Sequence, residues 1–169
     1  LSLHDALPIY DPAILQTLGT ALIEEDRPDE AEEVIGILYG MQPGSYDLYF
    51  TLTDHYCKQG NTDKVIEVVT KIKDLFVQAK REKEFGERAE ALLEANPAIL
   101  PLGELIADFF SASNQENRYE NTLGTLFTQY CQAEDFDKAA NILDRLIDID
   151  PYDFQNQDRL KALQGKLDK

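Results

Sequence analysis

Residues 12–45 read PAILQTLGTALIEEDRPDEAEEVIGILYGMQPGS and residues 46–79 read YDLYFTLTDHYCKQGNTDKVIEVVTKIKDLFVQA. Superposed at an offset of 34 residues, they carry apolar or small side chains in one shared register. In the first stretch these are Leu15, Leu18, Gly19, Leu22, Ala31, Ile35, Leu38 and Pro43; in the second they are Tyr49, Leu52, Thr53, Tyr56, Val65, Val69, Ile72 and Val77. A third stretch, 120–153, repeats the register with Leu123, Leu126, Phe127, Tyr130, Ala139, Leu143, Leu146 and Pro151. The first four positions of each copy are spaced i, i+3, i+4, i+7, one face of an amphipathic helix, and the next three form a second stripe beyond a turn. Each copy therefore predicts a helical hairpin, and the fixed period predicts that the hairpins stack.

The turns carry chemistry of their own. Asp26-Arg27-Pro28-Asp29, Gly60-Asn61-Thr62-Asp63 and Asp135-Phe136-Asp137 supply Gly, or side chains suited to capping the following helix. Gln42-Pro43-Gly44 and Asp150-Pro151-Tyr152 end the second helices, because proline cannot continue the hydrogen-bond ladder. The small residues Ala31 and Ala139 belong where two helices approach most closely.

This pattern resembles the tetratricopeptide repeat (TPR) family. The resemblance covers the three copies, 102 of the 169 residues. It implies an all-α fold, a right-handed superhelical stack of antiparallel helical hairpins in which the first helix of each hairpin lines a concave groove. Three positions depart from the family pattern: Val65 replaces the usual Ala, Val77 the usual Pro, and Phe127 a small residue.

The stretch 80–119 fits the template poorly but still shows two helical stripes. Phe85, Ala89, Leu92 and Leu93 make the first, ended by Asn96-Pro97. Leu102, Leu105, Ile106, Phe109 and Phe110 make the second, begun after Pro101 and ended in Ser111-Ala112-Ser113-Asn114. A degenerate hairpin with an insertion is the expectation. The alternative, one long helix from Thr62 to Glu94, is opposed by Gly86, since a helix-interior glycine costs about 1 kcal/mol relative to alanine. In 154–169, Leu160, Leu163 and Leu167 form a narrow stripe on a polar helix, as a solvating C-terminal cap requires. Residues 10–169 thus read as a single TPR-like domain. Residues 1–9 match, residue for residue, one reading frame of a common sequencing-library adapter and are set aside as non-native leader, so His4 and Asp5 carry no function.

Composition narrows the partners. With 16 Lys+Arg against 32 Asp+Glu the formal charge is −16, which argues against nucleic acid and against an anionic membrane surface. No apolar run approaches the roughly 20 residues of a membrane-spanning helix. Two cysteines cannot build a disulfide framework. Neither compartment nor localisation is readable from the chain.

The family resemblance places groove-lining side chains at five positions of each first helix. Here they are Ala13, Gln16, Thr20, Ile23 and Glu24; then Asp47, Phe50, Asp54, Cys57 and Lys58; then Asn121, Gly124, Thr128, Cys131 and Gln132. Ile23 and Phe50 are the candidates for apolar contact, although Phe50 could equally pack against the neighbouring hairpin. One branch of the family grips the C-terminal carboxylate of an acidic tail with Lys and Asn. Gln16 and Thr20, Thr51, and Asn121 with Thr125 stand at those places here, so the cations of that clamp are missing. An extended or helical segment with apolar anchors and positive charge is the better ligand.

Charge is uneven: residues 1–45 carry nine acids and one base, against five acids and four bases in 46–79. Glu24, Glu25, Asp26, Asp29, Glu30, Glu32 and Glu33 cluster about the first turn, either to steer a basic partner or, more simply, as a solvated face suited to a helix N-terminus. No catalytic arrangement stands out. His55 and Cys57 point in different directions on a helix and have no third ligand nearby. Asp148, Asp150 and Asp153 lack the central Gly and closing Glu of a calcium loop. The expectation is a non-catalytic protein–protein interaction module, with neither metal nor cofactor. Two alternatives remain: a regulatory segment of a larger enzyme, or a self-associating array joined through Ile14, Leu22 and Ile37.

Overall fold

The computed structural model describes residues 11–168; the adapter-like residues 1–9 lie outside them. Among the described residues there are nine helices and no strand. They are α1 (Pro12–Glu24), α2 (Pro28–Met41), α3 (Asp47–Gln59), α4 (Thr62–Gln78), α5 (Glu82–Ala95), α6 (Leu100–Ala112), α7 (Glu116–Gln132), α8 (Phe136–Ile149) and α9 (Phe154–Leu167). The chain has an all-α, helical-repeat fold. It divides into two compact units between Leu75 and Phe76, in the last turn of α4, and each is described by itself.

In the first unit, α1 starts on an Asp11 side chain that accepts from the Ile14 amide at 2.9 Å, with Pro12 in the first turn where its missing N–H costs nothing. A three-residue connection returns the chain into α2, which packs extensively on α1. The register residues form the core: Leu15, Leu22, Ala31, Ile35, Leu38, Tyr49, Leu52, Thr53, Tyr56, Val65, Val69 and Ile72 are all 4% exposed or less. Thr53 is tolerated there because its hydroxyl donates to the Tyr49 carbonyl at 2.8 Å. Gly19 faces α3, where a Cβ would stand 3.1 Å from Leu48 Cδ1, so the small residue sets how closely the hairpins approach.

One local expectation is corrected in this unit. Asp26 does not cap α2. It adopts the left-handed region at φ 59°, and its carboxylate instead accepts from Gln59 and bonds His55 Nε2, tying the first turn to the end of α3. Val77 stands where the repeat expects a helix-ending proline; α4 runs on past it to Gln78, and Val77 is 43% exposed. Gly60 and Asn61 behave as read. Gly60 closes α3 at φ 70°, and the Asn61 side chain accepts from the Lys64 amide.

The second unit starts with a break rather than a continuous helix, because Lys80 turns the chain at φ 57° between α4 and α5. The rings of Phe76, Phe85, Phe109 and Phe110 interlock, with Phe85 edge-on to Phe109 at a centroid distance of 4.7 Å. Gly86, mid-α5, lies where a Cβ would stand 2.5 Å from Gln115 Oε1 and 3.2 Å from Phe110, so a side chain there would displace the Gln115 amide and crowd the Phe110 ring. The connection between α5 and α6, residues 96–99, carries one residue more than 25–27 and 133–135, and four more of the excess residues form the first turn of α7. Helix α6 packs only lightly on α5 and mainly against α7, and α7 starts at Glu116, four residues before the third repeat copy.

Leu123, Leu126, Phe127 and Tyr130 from α7, Ala139, Ile142, Leu143 and Leu146 from α8, Ala107 from α6 and Leu163 from α9 form the core of this unit. The Asp135 side chain caps α8 by accepting from the Lys138 amide, and Asp153 caps α9 by accepting from the Gln155 amide. Buried Asn156 donates to the Leu146 and Asp150 carbonyls at 3.2 and 3.3 Å, fastening α9 to the end of α8.

Candidate functional site

The groove positions expected on α1 and α3 divide by exposure. Ala13, Gln16, Glu24, Asp47, Asp54 and Lys58 are exposed, and Thr20 and Cys57 are half-buried. Ile23 and Phe50, the expected apolar contacts, are 5% and 8% exposed, so neither is open to a ligand. The reason is helical spacing. Ile23 follows Leu15 and Gly19 at i+8 and i+4, and Phe50 follows Tyr46 at i+4, so both extend the buried stripe of their helix. Leu22, expected on a self-association surface, is buried for the same reason, while Ile14 is exposed and Ile37 half-buried.

The acidic cluster of the first turn is largely paired from within. Arg27 bridges Glu25 and Glu30, Asp26 holds His55 and Gln59, and Glu32 lies 3.7 Å from Lys64 and 3.8 Å from Lys71. Three cations stand against seven acids, so the cluster is only partly neutralised, as on a solvated face.

The second unit holds a concavity. A cavity of about 290 Å³ opens between α5 and α7, lined by Glu90, Leu93 and Glu94 of α5, Gly103 of α6, Asn121, Thr122, Thr125, Leu126 and Gln129 of α7, and Asn96, Pro97 and Ile99 of the inserted connection. Beside it, between α7 and α9, a more open depression of about 470 Å³ is lined by Glu120, Asn121, Gly124, Thr125, Thr128, Gln129, Gln132, Gln155 and Arg159. Asn121, Thr125 and Gln129, spaced i, i+4, i+8 on α7, line both, so the two form one trough crossing that helix. Four of the five groove residues expected on α7, namely Asn121, Gly124, Thr128 and Gln132, thus meet in one place. The fifth, Cys131, instead packs half-buried against the core.

The trough has an electrostatic direction. At its α5 end Glu90 is paired with Arg118 at 3.1 Å, whereas Glu94 has no cation within 4.0 Å among the described residues. At its α9 end Arg159 donates to Asn156 at 3.0 Å and lies over the Phe127 ring, with no carboxylate partner among the described residues. Gly124 makes that pose possible, since a Cβ there would stand 2.9 Å from the guanidinium. Between these ends the α7 face offers amides and hydroxyls. The Thr125 and Thr128 hydroxyls donate back to Asn121 and Gly124, which leaves their oxygen lone pairs free to accept.

Nothing nucleophilic stands out in this geometry. Burial first, then Asp54, pushes the Cys57 thiol up to about 11, and burial likewise raises Cys131, so both are protonated thiols near neutral pH. His55 is engaged with Asp26. Asp150 accepts from the Tyr152 amide and Asp153 caps α9, which accounts for the acidic residues of that boundary.

Sequence reasoning missed the α5 wall, the inserted connection and the two α9 residues. The signal was present for α5: Phe85, Gly86 and Ala89 stand in the same relative order as Leu18, Gly19 and Leu22 of the first copy. The insertion after α5 shifted the register of α6 and concealed it.

Comparison with known proteins adds three findings. The model of the PPR repeat matches residues 122–150, which lie on α7 and α8, the hairpin of the third repeat copy. A solved structure of a thermophilic TPR protein from Thermus thermophilus is similar at 14% identity, covering 91% of this chain and 99% of that one with a TM-score of 0.30. No curated protein matches.

Proposed function

We propose that this chain is a non-catalytic protein–protein interaction module that takes a segment of another protein into the trough crossing α7. The observation that carries the reading is the trough itself: an apolar floor of Leu93, Pro97, Ile99 and Leu126 beneath uncharged amides and hydroxyls, on a scaffold of packed helices. Such a surface fits a segment whose side chains seek apolar burial and whose main chain seeks hydrogen bonds. The helical-repeat fold supports it, because stacked hairpins present extended concave surfaces and carry no chemistry of their own.

Nucleic acid fits poorly. PPR-type repeats include readers of single-stranded RNA, but a formal charge of −16, with Glu90, Glu94 and Glu120 lining the trough, opposes a phosphate backbone. No helix among the described residues is long and apolar enough to cross a membrane.

The test is a selection of phage-displayed random peptides on the full chain, counter-screened on Thr125→Arg, which fills the trough from an exposed helix position. Recovery of sequence families that bind the wild type and lose at least about tenfold in affinity on Thr125→Arg supports the reading, tenfold corresponding to about 1.4 kcal/mol. Recovery of no binders, or of binders indifferent to the substitution, overturns it.

A further inference from the structure

The inserted connection 96–99 gives this trough a feature that the α1–α2, α3–α4 and α7–α8 hairpins do not share, since their connections span two or three residues. It brings Asn96, Pro97 and Ile99 into the lining of the 290 Å³ cavity, together with Leu126 and Gly103. Gly103 contributes no side chain, and no aromatic ring lines the space. The volume lies at the small end of ligand pockets, which suits one side chain better than a whole small molecule.

We infer, resting on the interaction reading above, that this cavity is a specificity pocket for an aliphatic side chain flanked by Lys or Arg, in an extended segment whose acidic residue farther along reaches Arg159. The aliphatic choice follows from the floor of Leu93, Pro97, Ile99 and Leu126, with no ring to stack on. The basic neighbour follows from Glu94, which lacks a cation on the cavity rim, with Glu90 beside it. The acidic residue follows from Arg159, whose guanidinium is held over α7 by Asn156 and Phe127 and lacks a carboxylate. Extended backbone follows from the Asn121, Thr125 and Gln129 ladder. Those groups accept and donate along one face of α7, which serves a strand with open main-chain groups and is wasted on a helix whose groups are bonded internally.

The experiment is fluorescence polarisation on the full chain with end-capped, fluorescein-labelled nonapeptides from a positional-scanning library. It is read on the wild type, Glu94→Lys, Arg159→Glu and Thr125→Arg, with thermal melts by circular dichroism to confirm folding. Glu94 is exposed; Arg159 rests on Phe127 and bonds Asn156, so its variant is read only if the melt shows the fold intact. The wild type is expected to prefer peptides with Lys or Arg beside Leu, Ile, Val or Met and with Asp or Glu farther along. Glu94→Lys should weaken these about tenfold and recover binding when the peptide's basic residue becomes Glu. Arg159→Glu should behave the same way toward the acidic residue. Peptides that need Thr125 but ignore both charge reversals overturn this inference and leave the interaction module standing. Peptides that bind Thr125→Arg undiminished, or no binding by any peptide, overturn both.

Discussion

Gly103 on α6 faces Leu126 on α7 so closely that a Cβ would stand 2.6 Å from Leu126 Cδ2. Leu126 packs in the core of the second unit and also borders the cavity, so a Cβ at Gly103 would push its Cδ2 out of the core contacts and toward the cavity. The Gly103→Ala substitution gains about 1 kcal/mol of helix propensity but meets an overpacking cost of about 1–3 kcal/mol, and a net loss of stability is expected. Gly36, in the middle of α2, is the counter-case: the nearest neighbour of its Cβ would be the Tyr49 hydroxyl at 3.9 Å, an ordinary contact. Gly36→Ala should therefore stabilise, by about 1 kcal/mol. Urea melts of both variants check the opposite signs; a stabilised Gly103→Ala would mean that α6 and α7 are not held at this spacing.

Ala31 and Ala139 occupy equivalent repeat positions and are fully buried. Replacing either with Leu should cost about 1–3 kcal/mol, because the added atoms have no void to enter. Denaturant midpoints that fall for both variants agree with close helix approach at this position; an unchanged midpoint would remove it from the core.

Asn156 secures α9 through two carbonyls at the end of α8. Asn156→Leu removes both bonds and puts a larger side chain in their place; the Leu146 and Asp150 carbonyls keep the Asp150 and Asp153 amides as donors, so the loss is that of the side-chain bonds, about 1 kcal/mol each. Hydrogen exchange offers the local readout. Only Asn156 and Leu163 of α9 are buried, so its amides should exchange faster than those of α7 and α8, and faster still in the variant. Equal protection of α9 and α8 would contradict this.

The raised thiol of Cys57 carries a pH prediction. Its ordinary value is near 9 and its folded value about 11, since burial and Asp54 disfavour the thiolate. A group whose folded value is raised contributes stability that is whole below the unfolded value and lost as pH rises toward the folded one. Stability should therefore decline from about pH 9 to about 11, and Cys57→Ser should flatten part of that decline. Thiol labelling at pH 8 should be slow at Cys57 in the folded chain and fast in urea; rapid labelling of the native protein would show an accessible thiolate.

The repeat positions were legible because each is fixed by local geometry. A side chain at i, i+3, i+4 or i+7 of a helix shares one face whatever the rest of the chain does, so local spacing alone places Leu15, Tyr56, Leu123 and Ala139 in the core, where they are buried. The trough was half legible. Asn121, Gly124, Thr128 and Gln132 share a repeat position with residues of the other hairpins, whereas Glu94, Ile99 and Arg159 have no counterpart to be matched against. The burial of Ile23 and Phe50 escaped for a different reason: it depends on how wide the packed stripe becomes once neighbouring helices close on it.

By itself the sequence determined the helices, the faces they bury and the acidic character of the chain, because periodicity and charge are properties of the chain taken a few residues at a time. Only the tertiary structure decided where the concavity lies. Helix α6 packs on α7, and the cavity lining of Asn96, Pro97 and Ile99 with Leu126 joins residues about 30 positions apart. No local spacing rule reaches that far, since such contacts are set by how packed helices fill space.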